Sequence, residues 1–472
     1  MKDNPNKKVL KSEKLTNGIE QNPEDANVFY IRGLAYLGTN YYKAITNFDK
    51  AIELNPDYTE AYYFRGDAYY FTGNYTQAIV NFDKAIELKP DDTAAYFYRG
   101  NTYFNAGNYS QAIFDYDKVI ELNPDDEAAY FFRGKSYSNT GNYNQAIADY
   151  DKAIELNSDY ASAYYGKGLA YYRIGNFSQA ISDYDKAIEL KSDDASAYYN
   201  RGLAYYRTGD FSQAISDYDK AIELKSDDAS AYYGRGLAYY RTGNFCQAIS
   251  DYGKAIELKP DYASAYYGRG LSYHRTDDYI EAISDYSKAI ELEPNEANAY
   301  IVRGIAFKET DNLTQAIADY DKAIELNSDD AVAYFGRGNA HYYDGNYVKA
   351  IADFNMAIDL QPDDVDAYYN RGNIHYDAGN YTQAIADYDK VIELNPDDAD
   401  AFDKRGSVYE TLGNYTQAKA DHKKAIEINP DFAEESELPK LIHEKTNMRY
   451  KSDEFENVVL QLLQNIDTIQ RN

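Results

Sequence analysis

The side chains of this chain that could do chemistry are five histidines, one cysteine and several rows of arginine and tyrosine. His341 and His375 stand 34 residues apart, with Asp344 and Asp377 just beyond them. Two imidazoles and two carboxylates could hold metal if the fold brought them together. A simpler reading is that each histidine replaces a tyrosine or phenylalanine at a repeated position, one flat ring for another, which needs no metal. His274, His422, His443 and Cys246 show no spacing that signals a Ser–His–Asp or Cys–His arrangement. The glycines do not form a phosphate-binding loop. No catalytic residue, metal or cofactor is therefore expected.

The arginines carry more information, because their spacing is regular. Arg173, Arg207, Arg241 and Arg275 recur every 34 residues, each directly after a tyrosine or histidine. A second basic row runs through the whole chain, for example Arg65, Arg99, Arg133, Lys167, Arg201 and Arg303. Sixteen residues after each member of the second row, or fifteen in the shorter first copy, stands an aspartate, replaced by asparagine only at Asn47 and Asn81. A structural ion pair within or between copies is the main expectation for this row. An arginine stripe facing a ligand is the alternative.

These rows imply one small unit copied many times. The motif RG-x-x-Y recurs with its glycine at Gly66, Gly100, Gly134, Gly168, Gly202 and so on to Gly406, always 34 residues apart. Counting Thr59 as position 1, eleven copies fill 59–432, and a twelfth, 26–58, is one residue short. Position 8 is glycine and position 20 is alanine in every copy, and position 24 is Tyr or Phe in all but the last, where it is His422. Positions 4, 8 and 11 share one helical stripe, and positions 20, 24, 27 and 30 share another. Each copy thus reads as two helices joined by a Gly-Asn turn. The glycine suits a left-handed helix end. The asparagine suits an N-cap, with Asn142 and Gln145 as a capping-box pair. The aspartates that usually precede a first helix are read as further caps.

The pattern Y-x2-R-G-x2-Y…A-x3-Y…P resembles the tetratricopeptide repeat, W-x2-L-G-x2-Y…A-x3-F…P. The chain departs from it in having Tyr or Phe for Trp at position 4 and a basic residue for Leu at position 7. The resemblance implies an all-α fold, an α-solenoid superhelix of tandem antiparallel helix pairs with helical end caps. The expected organisation is an N-terminal half-repeat cap at 1–25, twelve repeats over 26–432, and a C-terminal helical cap at 433–472. The last would use the apolar face of Phe455, Val458, Val459, Leu462, Leu463, Ile466 and Ile469. By the same resemblance, first helices line a concave groove through positions 2, 5, 9, 12 and 13. In the central copies these are Tyr165, Leu169, Tyr172 and Arg173; Tyr199, Leu203, Tyr206 and Arg207; Tyr233, Leu237, Tyr240 and Arg241; and Tyr267, Leu271 and Arg275, with His274 at position 12 of the last. Tyr and Arg are enriched at binding hot spots. The partner expected there is a protein or an extended peptide. The lysine and asparagine clamp of chaperone-tail binders is missing from these positions.

Composition narrows the classes further. The 472 residues hold 78 acidic against 48 basic side chains, a net charge of −30, together with 55 tyrosines. Such a balance argues against nucleic acid and against anionic membrane surfaces. One cysteine excludes a disulfide framework. The basic N-terminus has no apolar core, so no secretory signal is expected and the Asn-x-Ser/Thr triplets read as turn residues. The expectation is a cytoplasmic, monomeric adaptor without catalysis. A structural spacer that self-associates end to end is the alternative.

Overall fold

The computed structural model describes residues 25–432. Among these residues are 24 helices and no strand. They follow the two stripes of each copy. In the copy 127–160, the first helix is Glu127–Asn139 and the second is Tyr143–Leu156. The expected end caps at 1–25 and 433–472 lie outside the described residues, apart from Asp25, which caps the first helix.

Chain contacts divide the molecule into two compact units, 1–226 and 227–472. The described part of the first holds six helix pairs, from Ala26–Tyr36 to Phe211–Leu224; that of the second holds six more, from Ala229–Arg241 to Tyr415–Ile428. Within each unit a first helix packs between the second helix of its own copy and that of the copy before. Successive first helices also touch one another, as Thr59–Phe71 does with Thr93–Asn105 and Ala297–Glu309 with Ala331–Tyr343.

The ends of the helices are set by local chemistry. Every glycine at position 15 is left-handed, Gly141 at φ 78° for instance, as the helix-end expectation required. Asp277 and Asp311 occupy that position in two copies and take the same conformation at φ 61° and 60°. Asp126 caps its helix by accepting from the Ala129 amide at 2.9 Å, and Asp398 accepts from Ala401 at 3.0 Å. Asn74 and Asn176 cap second helices through the amides of Gln77 and Gln179. The capping box expected at Asn142 does not form. Its side chain makes no cap bond, and its amide nitrogen donates instead to Thr140 Oγ1 at 2.9 Å.

The core of each copy is a large ring against a missing side chain. Position 24 is buried in every copy but the last, where His422 is half-buried; Tyr184 and Tyr218, for instance, are both 0% exposed. Its ring lies on the glycine at position 8: a Cβ on Gly202 would stand 3.0 Å from Cε1 of Tyr218. Burying a ring of this size contributes about 2–3 kcal/mol, and the close backbone approach requires glycine. The same ring meets position 6 of the next copy. Where that residue is Gly166, the Tyr150 hydroxyl would stand 3.0 Å from a Cβ placed there; where it is Phe132, its ring stacks on Tyr116 with centroids 6.1 Å apart.

The basic row at position 7 closes each junction. Arg133 donates from Nε and Nη2 to both oxygens of Asp149 in its own copy, at 2.8 and 2.6 Å. Its Nη1 donates to Asp117 of the preceding copy at 2.6 Å. Arg99, Arg201, Arg337 and Arg405 repeat the arrangement, and Lys167 spans Asp151 and Asp183. The guanidinium also lies over the position-4 ring, 5.4 Å from the centroid of Tyr130. Asp149 is only 6% exposed. Burial pushes its carboxyl up and the two Arg133 bonds pull it partway back. The row is thus structural, and it works both inside a copy and between neighbours.

Candidate partner-binding face

With position 7 spent on the fold, the expected groove residues that remain are those at positions 5, 9, 12 and 13 of the first helices. The packing grades them. Tyr165 and Tyr199 are half-buried, each tilted against the position-24 ring of its own copy with centroids 5.9 and 5.8 Å apart. Tyr233 and Tyr267 are buried, 5.7 Å from Tyr252 and Tyr286 respectively. Leu169 and Leu203 are half-buried, whereas Leu237 and Leu271 are buried. The central positions 5 and 9 therefore lie closer to the core in the second unit than in the first.

Positions 12 and 13 lie further out. Tyr172, Tyr206 and Tyr240 are half-buried, meeting the rings of Phe177, Phe211 and Phe245 at 5.3, 5.4 and 5.4 Å. Arg173, Arg241 and Arg275 are exposed and Arg207 is half-buried. The Arg207 guanidinium lies over the Phe177 ring at 5.2 Å, and Arg275 lies over Phe245 at 5.5 Å. Tyrosine, phenylalanine and the arginine of the following copy thus form one layered group, Tyr172–Phe177–Arg207 in the first unit and Tyr240–Phe245–Arg275 in the second. The phenylalanine at position 17 was not among the expected contact residues. Its signal was available, since that position is aromatic in every copy but one, where it is Leu313.

A similar link joins position 12 to the next position 13 elsewhere. Asn105 donates to the Tyr70 hydroxyl at 2.7 Å, and the Tyr342 hydroxyl donates to Asp377 at 2.7 Å. The ring of one copy and the following side chain of the next thus hold each other.

The histidines follow the packing. His341 is buried and points its Nε2 toward Asp353 at 4.0 Å, not toward Asp344. Burial pushes the imidazoles of His341 and His375 down, and takes that of His274 down to about 4. Asp377, expected near the histidines, receives the Tyr342 hydroxyl. No group of three or more His, Cys, Asp or Glu side chains is placed to hold a metal among the described residues. Cys246 is exposed and unbridged.

Sequence profiles described as tetratricopeptide repeat match residues 93–126, 165–231, 199–255, 263–296, 365–398 and 399–432. A profile described as TPR repeat matches 39–73, 66–107, 134–175, 238–277, 304–345 and 338–379. No curated protein sequence matches the chain. Among solved structures, MamA is 33% identical over 36% of this chain and 94% of its own, with a TM-score of 0.34. YrrB, described as a TPR protein with an unusual peptide-binding site, is 28% identical over 38% of this chain and 92% of its own, with a TM-score of 0.35. The C-terminal part of a repeat protein from Cytophaga hutchinsonii is 24% identical over 50% of this chain and 97% of its own, with a TM-score of 0.44.

Proposed function

The chain belongs to the tetratricopeptide repeat family, and from that premise we propose that it is a non-catalytic scaffold whose first-helix face holds an extended segment of a partner protein. The carrying observation is the layered group of tyrosine, phenylalanine and arginine, present once in each unit as Tyr172–Phe177–Arg207 and Tyr240–Phe245–Arg275. Each such group offers a rigid aromatic edge and a guanidinium that is already oriented. Together they suit a segment with apolar and acidic side chains, held by packing and by charge-assisted hydrogen bonds. Arg173 and Arg207 in the first unit, and Arg241 and Arg275 in the second, each give a locally positive patch on a chain of strongly negative net charge.

The scaffold is proposed to act as a monomer in the cytoplasm. A single cysteine, exposed and unbridged, suits a reducing compartment. Among the described residues, no helix is long and apolar enough to cross a membrane.

The test compares the native chain with a variant carrying Arg173, Arg207, Arg241 and Arg275 changed to Glu. Both are used as bait in source lysate, with the captured proteins identified by mass spectrometry. Arg173, Arg241 and Arg275 are exposed and Arg207 is half-buried, and circular dichroism checks that the variant is folded. A defined partner held by the native chain and lost by the folded variant is the expected result. The same partner on both chains would move binding off this face.

A further inference from the structure

Position 9 holds leucine, isoleucine, asparagine, lysine or serine in eleven copies and an acid in one, Asp67. Asp67 sits on the helix Thr59–Phe71, four residues after Tyr63 and three before Tyr70, so the three share a face. Its Oδ1 is buried and has no hydrogen-bond partner. The contrast with Asp115, which lies in the next copy, is sharp: there both oxygens take bonds from Arg99. Burial alone pushes the Asp67 carboxyl up from 3.8 to about 6. Its charge also raises the hydroxyls of Tyr63 and Tyr70, after the larger effect of their own burial. A carboxylate kept from water without a cation destabilises the fold. Leucine, as used at this position in other copies, would avoid that cost.

The surroundings are fixed. Tyr63 meets Tyr98 of the next copy edge to face, with centroids 5.7 Å apart, and the Tyr70 hydroxyl is held by Asn105. A half-buried carboxylate between aromatic rings is the chemistry that receives a guanidinium or an ammonium, through a charge-assisted hydrogen bond at one end and ring faces at the sides.

We propose that Asp67, with the rings of Tyr63 and Tyr70, anchors an arginine or lysine side chain of a protein segment lying along the first helices of the unit 1–226. This assignment rests on the scaffold reading above and adds a basic residue to the partner segment. The occupant is a peptide, because one carboxylate in a line of rings and amides matches one cation within an otherwise apolar stretch.

A phage-displayed library of random dodecapeptides, selected in parallel on the full native chain, on Asp67→Asn and on Asp91→Asn, tests it. Asp91 is an exposed acid, so its variant controls for net charge. Asp67→Asn removes an uncompensated charge and should fold at least as well as the native chain. The native chain and Asp91→Asn should both enrich peptides sharing one Arg or Lys, and Asp67→Asn should lose that preference. In calorimetry at 150 mM salt, a selected peptide should bind Asp67→Asn at least tenfold more weakly and Asp91→Asn within twofold of native. If native and Asp67→Asn enrich the same peptides, or no basic residue is shared, the anchor is overturned while the scaffold reading stands. If the native chain enriches no peptide at all, both are overturned.

Discussion

Arg269 Nη1 lies 3.6 Å from the point where a Cβ on Gly253 would stand. In copies such as 127–160 the residue at the corresponding position 25 of the preceding copy is an aspartate that receives the arginine. Arg269 keeps its two bonds to Asp285, at 2.7 and 2.8 Å, but has no such outer carboxylate. Gly253→Asp should restore it. The change also removes a glycine from the middle of the helix Phe245–Leu258. Together these should stabilise the second unit by about 0.5–1.5 kcal/mol. A thermal melt of the variant should show a higher midpoint, and the gain should shrink in 1 M salt. An unchanged midpoint would show that the outer arm contributes nothing to stability.

The inner arm carries a different cost. Arg133→Leu leaves Asp149 buried without its partner and should destabilise the array by about 3–5 kcal/mol. Adding Asp149→Leu to that variant should recover most of the loss, since an apolar pair of similar volume has no charge to desolvate. Denaturant unfolding of the two single variants and the double variant gives the coupling. If the double variant is as unstable as the sum of the singles, the pair is not acting as a unit.

Asp311 holds a left-handed backbone that costs an L-residue free energy and a glycine almost none. Asp311→Gly should therefore stabilise by about 0.5–1 kcal/mol. Hydrogen exchange at the turn between Ala297–Glu309 and Leu313–Leu326 would read it locally, as slower exchange.

The histidines make the second unit sensitive to acid. Burial holds His274 down to about 4 and lowers His341 and His375 from 6.5. The unfolded chain binds protons at these sites below about pH 6.5 while the folded chain resists, so stability is retained above that pH and falls as pH drops toward 4. His341→Tyr with His375→Tyr restores the ring found at this position in most copies. That variant should show a shallower fall in melting temperature between pH 7 and pH 5 than the native chain. Equal slopes in both would place the acid sensitivity elsewhere.

Much of this was legible in the residues. The two-helix copy, the left-handed glycine and the pairing of positions 7 and 23 all follow from spacing within one copy. What spacing could not reach were contacts across a copy junction. The bond from Arg133 to Asp117 depends on which helices stack, and two columns of acids, at positions 23 and 25, were equally available to the arginine. The burial of Tyr233, where Tyr165 and Tyr199 at the same position are only half-buried, is likewise a difference between copies that the period does not carry. Asp67 was visible as the one acid in its column, but only the packing shows that its Oδ1 is without a partner. Nor does spacing say which asparagines cap: Asn74 accepts from the Gln77 amide, whereas Asn142 makes no cap bond.

The arginine reaches sixteen residues forward to Asp149 and sixteen back to Asp117, and these two equal steps free the array from any one length. If the copy 127–160 were excised, Lys167 would find Asp117 where it now finds Asp151, and the Tyr116 ring would meet Gly166 in place of Phe132. Every seam would close with a bond type already in use. A gene encoding such a chain can gain or lose whole copies by unequal exchange without inventing a new contact. The length of the array is then open to evolutionary adjustment in steps of one repeat, independently of the surface each repeat presents.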